Sequence, residues 1–180
     1  SEFIENTFDR EDFSDVICIT ANPYYSNMHF EKLTGKKAED VFHEIFRVYE
    51  TDWNEENSTV MPESMVEKAK TAEKLWPDKR KIVHMMQPHY PFIENNLTGK
   101  GFENAKKSEA DPSNTNVWDK AMLGKIEHNE LVEAYRSNLE YVMPYVKDLD
   151  ELLSGRTVLT ADHGNLIGEN GLYGHPEGCK

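Results

Sequence analysis

The sequence predicts an α/β fold with a largely parallel central sheet flanked by helices. Three observations carry that expectation. Short apolar runs rich in β-branched residues recur along the chain, each stops at a polar loop, and stretches of helical period fill the gaps between them. The chain of 180 residues suits one ordinary domain spanning 1–180, and its 3 Trp, 8 Tyr and 8 Phe are enough to anchor a packed interior, which argues against intrinsic disorder.

The first run is Asp15-Val16-Ile17-Cys18-Ile19-Thr20, broken by Ala21-Asn22-Pro23 as a buried strand entering a turn would be. Residues 41–49 fit a helix by the placement of their apolar residues and a strand by their β-branched and aromatic content. Pro62 opens a helix through Met65, Val66, Ala69, Ala72 and Leu75, with Pro77 just past its end. The second run is Lys81-Ile82-Val83-His84-Met85-Met86, stopping at Gln87-Pro88. Residues 94–116 are rich in Asn, Lys, Gly and Ser and read as a long mobile excursion of the kind that forms lids. A helix over about 129–153 follows, with Leu131, Tyr135, Leu139, Val142, Val146, Leu149 and Leu153 at steps of three or four, a kink expected at Pro144 and a cap at Gly155. The third run, Arg156-Thr157-Val158-Leu159-Thr160-Ala161, ends at Asp162-His163-Gly164. There is no internal repeat.

Composition excludes several classes of function. With 20 basic against 33 acidic residues the net charge is -13, a field that repels nucleic-acid phosphates. No run approaches the roughly 18 apolar residues of a membrane span, and no signal-peptide pattern opens the chain. Cys18 and Cys179 lie too far apart in sequence to imply a disulfide framework, so a reducing cytoplasm is the expected location. Ser1-Glu2-Phe3 lacks a starting Met, as a piece of a longer chain would.

In a parallel sheet, ligands sit beyond the carboxyl ends of the strands, which points to the loops at 21–26, 87–92 and 162–175. Of seven histidines, His89, His163 and His175 fall in two of these loops, and His84 lies on the strand leading into one. Adjacent Asp162 and His163 at a strand end offer two metal ligands from one platform, with Gly164 permitting close backbone approach. Gly168, Gly171 and Gly174 let the chain turn back and deliver His175 to the same place. A carboxylate with imidazoles suits Zn, Mn or a similar divalent ion. Plainer readings stand beside these: Asp162-His163-Gly164 as a capped turn, His89 packed under aromatic rings, His84 as a satisfied core histidine. His29, His43 and His128 have no supporting context.

The segment Thr160-Ala161-Asp162-His163-Gly164-Asn165-Leu166-Ile167-Gly168-Glu169-Asn170-Gly171, followed by Tyr173-Gly174-His175-Pro176, resembles the late metal-binding segment of the sulfatase branch of the alkaline-phosphatase superfamily. Val83-His84-Met85-Met86-Gln87-Pro88-His89-Tyr90-Pro91-Phe92 looks like the substrate-facing strand-end loop of that family. The element Ile19-Thr20-Ala21-Asn22-Pro23 and the stretch 62–80 are similar to sulfatase-like proteins of archaea and bacteria.

The resemblance implies an alkaline-phosphatase/sulfatase-like sheet and a divalent metal (Zn, Mn, Mg or Ca) held by Asp162, His163 and His175. It further implies that His89 and His175 contact the substrate or the transferred group, in a hydrolase or transferase acting on sulfate or phosphate esters. The family pattern begins with a strand ending in an acidic ligand, followed by a Ser, Thr or modified Cys nucleophile. Neither is found here: Cys18, Thr20 and Ser26 lack the motif. The expectation is therefore the middle and late part of such a domain, truncated relative to the pattern and without turnover of its own. The alternative is a non-catalytic binding or assembly module that keeps the fold, with an exposed sheet edge available for homo-oligomer formation.

Overall fold

The structure, a computed structural model, describes residues 2–8, 12–93, 95, 97 and 116–175. Most of the 94–116 excursion therefore lies outside the described residues, as do Pro176 and Cys179. The fold is mixed α/β, with a small parallel sheet flanked by helices. The chain divides into two compact units, one of Ser1–Met86 with Pro144–Val158, the other of Gln87–Met143 with Leu159–Lys180.

In the first unit, α1 (Glu2–Phe8) precedes β1 (Val16–Thr20), and β2 (Glu44–Arg47) and β5 (Arg80–His84) flank β1 in the order β2-β1-β5. Both pairings are parallel, with Cys18 opposite Ile45 on one side and Ile82 on the other. The run Val-Ile-Cys-Ile explains the central place of β1: it has no polar face, and Val16, Ile17, Cys18 and Ile19 are all buried. The ambiguous stretch 41–49 resolves into three short pieces: the end of α3 (Ala38–Val41), then β2, then α4 (Val48–Thr51). A small hairpin of β3 (Trp53–Asn54) and β4 (Thr59–Val60) leads into α5 (Pro62–Leu75), which begins and ends where the sequence places it.

Below the sheet lies an aromatic core. Phe8 is its hub, edge-on to Phe13 at 4.9 Å and to Phe42 at 5.0 Å, and packed against Tyr25 and Phe30. Each such pair adds about 0.5–1.5 kcal/mol beyond its buried area. Arg47, at the end of β2, donates to the Tyr25 carbonyl, Asn27 and Glu39, tying the sheet to α2 (Asn27–Thr34). Helix α2 carries local signals: Ser26 caps its first turn, and Gly35 ends it at φ 71°.

The second unit contains α6 (Val117–Met122), the first part of α7 (His128–Leu152) and the hairpin β6 (Leu166–Ile167) with β7 (Tyr173–Gly174). Asn116 and Asp119 form a reciprocal capping box at the start of α6. The core of this unit is Phe92, Val117, Trp118, Ala121, Leu131 and Ala134, with Tyr90, Tyr135, Ile167 and Tyr173 packed around it. Helix α7 begins one residue before the expected start and holds Pro144 within its length. Its buried stripe differs from the expected one. Leu131, Ala134, Asn138, Val142 and Leu149 are buried, whereas Leu139 is 42% exposed.

The third expected strand is not formed. Residues 156–161 lie in no ladder and are exposed, Val158 by 75% and Leu159 by 66%. An apolar run supplies the side chains of a strand but not its neighbour, and a strand exists only where another backbone accepts its hydrogen bonds. Among the described residues the sheet consists of β2, β1 and β5, and residues 156–161 pair with neither edge strand. No helix of the described residues is long and apolar enough to cross a membrane.

Glu73 on α5 joins three elements of the first unit. It pairs with Lys81 of β5 at 2.5 Å and accepts from the Ser154 hydroxyl at 2.6 Å, after the end of α7. The bonds from Lys81 and then Ser154 hold its carboxyl below the usual range. A depressed folded value stabilises the fold above the unfolded value of about 4.3, and that stabilisation is lost as pH falls through the folded value. Glu73→Gln is expected to be less stable than the parent at pH 7, with the gap closing below about pH 4, as urea unfolding at stepped pH will read. A gap that stays constant across that range would remove Glu73 from the account.

Candidate functional site

After β5 the chain passes through Gln87-Pro88-His89-Tyr90-Pro91-Phe92, with both X-Pro bonds cis. Proline supplies no N–H, so this loop cannot close on its own hydrogen bonds. Its polar backbone is taken up by the buried Asn138 of α7. The Asn138 carboxamide donates to the carbonyls of Pro88 (3.1 Å), His89 (3.0 Å) and Pro91 (3.4 Å) and accepts from the Ile93 amide at 3.0 Å. On that loop, the His89 ring stacks on Tyr90 at 4.5 Å and meets Trp118 edge-on at 6.4 Å.

The second segment arrives from the hairpin. Gly168, at φ 123°, lies against His128 and Tyr173, and Gly174, at φ 76°, lies against the Trp118 indole. These turns bring His175, immediately after β7, to 6.2 Å from the His89 ring and 4.7 Å from that of His163. Asp162 accepts from the His163 amide at 3.0 Å, and its other oxygen is 3.6 Å from His163 Nε2. Thus His89, Asp162, His163 and His175 share one unit, although no strand precedes Asp162.

The ring chemistry follows from the carbonyls. A carbonyl can only accept, so His89 Nδ1 donates to Tyr90 and His163 Nδ1 donates to Gly164 at 3.0 Å. In the neutral ring this leaves the lone pair on Nε2, the atom that a metal takes or a base uses. Burial pushes His89 down to about 4, against the Tyr90 bond and reinforced by His175 and His163. Burial, then the neighbouring His163, also lowers His175. At neutral pH His89 therefore carries no charge with which to attract an anion. What it offers is a lone pair.

The donor set suits a divalent cation in chemical type: three imidazoles and a carboxylate. The edge between His163 Nε2 and Asp162 is informative. In the Nδ1–H tautomer it sets a lone pair against a carboxylate oxygen, a repulsion that a cation between them would relieve. Among the described residues, however, no group of three or more His, Cys, Asp or Glu side chains is arranged to hold a metal ion.

The hydroxyls and thiol at the end of β1 are committed elsewhere. Cys18 is buried, and burial pushes its thiol far above the ordinary range, so it is no thiolate. The Thr20 hydroxyl accepts from the Asn22 amide, and Ser26 caps α2 and bonds His29. Asn22 accepts from Tyr24 in a tight turn, as the plain reading of Asn22-Pro23 has it. His84 bonds the Tyr25 hydroxyl at 3.3 Å within the first unit.

Sequence reasoning missed Asn138, Trp118 and Asn165. The signal for Asn138 was its position, seven residues after Leu131 on the buried stripe, where a polar side chain must be satisfied to be tolerated. Asn165 Nδ2 donates to the Tyr135 hydroxyl at 3.2 Å, while its Oδ1 and the Trp118 Nε1 are buried with no hydrogen-bond partner among the described residues.

Comparison of the chain with family models, with curated proteins and with solved structures yields no match. The sulfatase likeness therefore rests on the residues themselves.

Gly174→Ala is expected to destabilise the second unit. A Cβ there would sit 2.9 Å from Trp118 Cγ on a backbone that disfavours side chains. The overpacking and strain should cost about 1–3 kcal/mol in chemical unfolding. Gly164→Ala, with nothing within 4 Å of its Cβ, is the matched control and should change little.

Proposed function

We propose that the chain carries part of the metal and substrate site of a metal-dependent hydrolase or transferase acting on sulfate or phosphate esters, within an alkaline-phosphatase/sulfatase-like fold. In this reading Asp162, His163 and His175 hold a divalent ion (Zn, Mn, Mg or Ca), and His89 and His175 face the substrate. The observation that carries it is the gathering of three imidazoles and a carboxylate from two segments some seventy residues apart in one unit, at ring separations of 4.7 and 6.2 Å.

When bound, the ion would supply positive charge to neutralise the ester and activate a nucleophile. The chain's own residues supply the rest. The Tyr90 and Gly164 carbonyls keep the His89 and His163 rings in one tautomer, and burial keeps His89 unprotonated. An uncharged His89 is suited to accept a proton from a water or hydroxyl, or to bind the ion, more than to attract the anion by charge.

A second reading, a non-catalytic binding or assembly module, draws on the burial of the Cys18 thiol and the commitment of Thr20 and Ser26 to structural bonds. The readings part at the metal: tightly bound metal in a monomer counts against the module.

Elemental analysis after exposure to Zn, Mn, Mg or Ca tests the site. The parent chain and His29→Ala are expected to retain one equivalent of an ion that Asp162→Ala and His163→Ala lose. Equal metal content in all four would reject the ligand assignment. Metal content and oligomeric state then separate the readings: a metal-binding monomer supports the first, whereas no metal under any condition together with self-association of the chain supports the module.

A further inference from the structure

We propose that Asn138 is the positioning residue of the His89 loop, fixing the His89 imidazole as its Nδ1–H tautomer beside His175. The positional role stands on geometry alone. Its consequence for ion binding rests on the reading of the site given above.

The loop's needs are specific. Prolines at 88 and 91 remove two donors, and the carbonyls of Pro88, His89 and Pro91 all turn to one place, where the Ile93 N–H also points. One acceptor and two donors on a short stem are the inventory of an asparagine side chain. The two Nδ2 protons serve the carbonyls at 3.0 and 3.1 Å, with the 3.4 Å contact shared. Aspartate would bring no donor and would set negative charge against three carbonyl oxygens. Leucine would fill the volume and leave all four backbone groups unpaired. Glutamine carries an extra methylene into a site with no exposure to relieve it.

An amide on the buried stripe of a helix costs helix propensity and desolvation, and only full use of its bonds offsets both. Asn138 makes that use. Because it grips the carbonyls of Pro88 and His89, it holds the backbone on both sides of the His89 Cα. The Tyr90 carbonyl, next in the chain, receives the His89 Nδ1–H. Four of the loop's carbonyls are thus divided between two side chains: Asn138 takes those of Pro88, His89 and Pro91, and the imidazole takes that of Tyr90. Releasing the first grip releases the second.

The test is nitrogen NMR of the intact, metal-free, labelled chain. In the parent, the Asn138 side-chain protons are expected to exchange slowly with solvent, and the His89 nitrogens to show the Nδ1–H pattern. In Asn138→Asp and Asn138→Ala, the Ile93 amide should lose protection and His89 should shift toward the Nε2–H tautomer, while the β1 amides stay protected. Affinity for Zn or Mn, which the reading above assigns to Asp162, His163 and His175, should change little. Rapid exchange of the Asn138 side chain in the parent, or an unchanged His89 tautomer in folded variants, would overturn the proposal. If the variants do not fold, the parent spectra alone decide. A tautomer shift without ion binding by any form would uphold the positioning role and reject the metal reading.

Discussion

Strand β1 has to satisfy its backbone on both edges and bury its side chains on both faces, and this double demand organises the first unit. A run of Val, Ile, Cys and Ile has no face that water can solvate. It therefore needs parallel neighbours, β2 and β5, rather than an exposed antiparallel partner. Parallel neighbours need crossovers, and the connections between β1 and its partners supply them through α2, α3, α4 and α5. The aromatic core around Phe8 covers one side of that arrangement, and the Val66, Ala69 and Leu149 cluster covers α5.

Charge links the two halves of the proposed chemistry. A chain of net charge -13 repels an anionic ester. The rings at the site do not compensate, since burial keeps His89 unprotonated and lowers His175. In the proposed reading the same conditions suit a cation, because an unprotonated His89 presents a lone pair instead of a proton. The ion would then be the precondition for binding the anion. That ordering follows from the acid-base state of the rings and does not depend on which ester is involved.

The parts of the fold legible in the sequence are those where one segment decides its own structure. Pro62 and the apolar spacing place α5, the long period places α7, and the β-branched runs place β1 and β5. Legibility failed where a partner decides. Residues 156–161 have the composition of a strand and no ladder to join. Leu139 fits the expected stripe by its chemistry, yet the helix turns Asn138 inward because the proline-rich loop needs an amide. The site residues His89, Asp162, His163 and His175 were legible as types, and so was the glycine turn-back that delivers His175. What was not legible is the setting of Asp162, which no third parallel strand aligns with the others.

The second unit distributes its hydrogen bonds unevenly, and the distribution has a direction. On the side of α7, Asn138 bonds the carbonyls of Pro88, His89 and Pro91 and the Ile93 amide. Around Trp118 and Asn165, a buried indole N–H and a buried amide oxygen have no partner among the described residues. An unpaired buried polar group costs about 1–3 kcal/mol. Both surround Tyr135: Trp118 packs on its ring at 6.4 Å, and Asn165 donates to its hydroxyl.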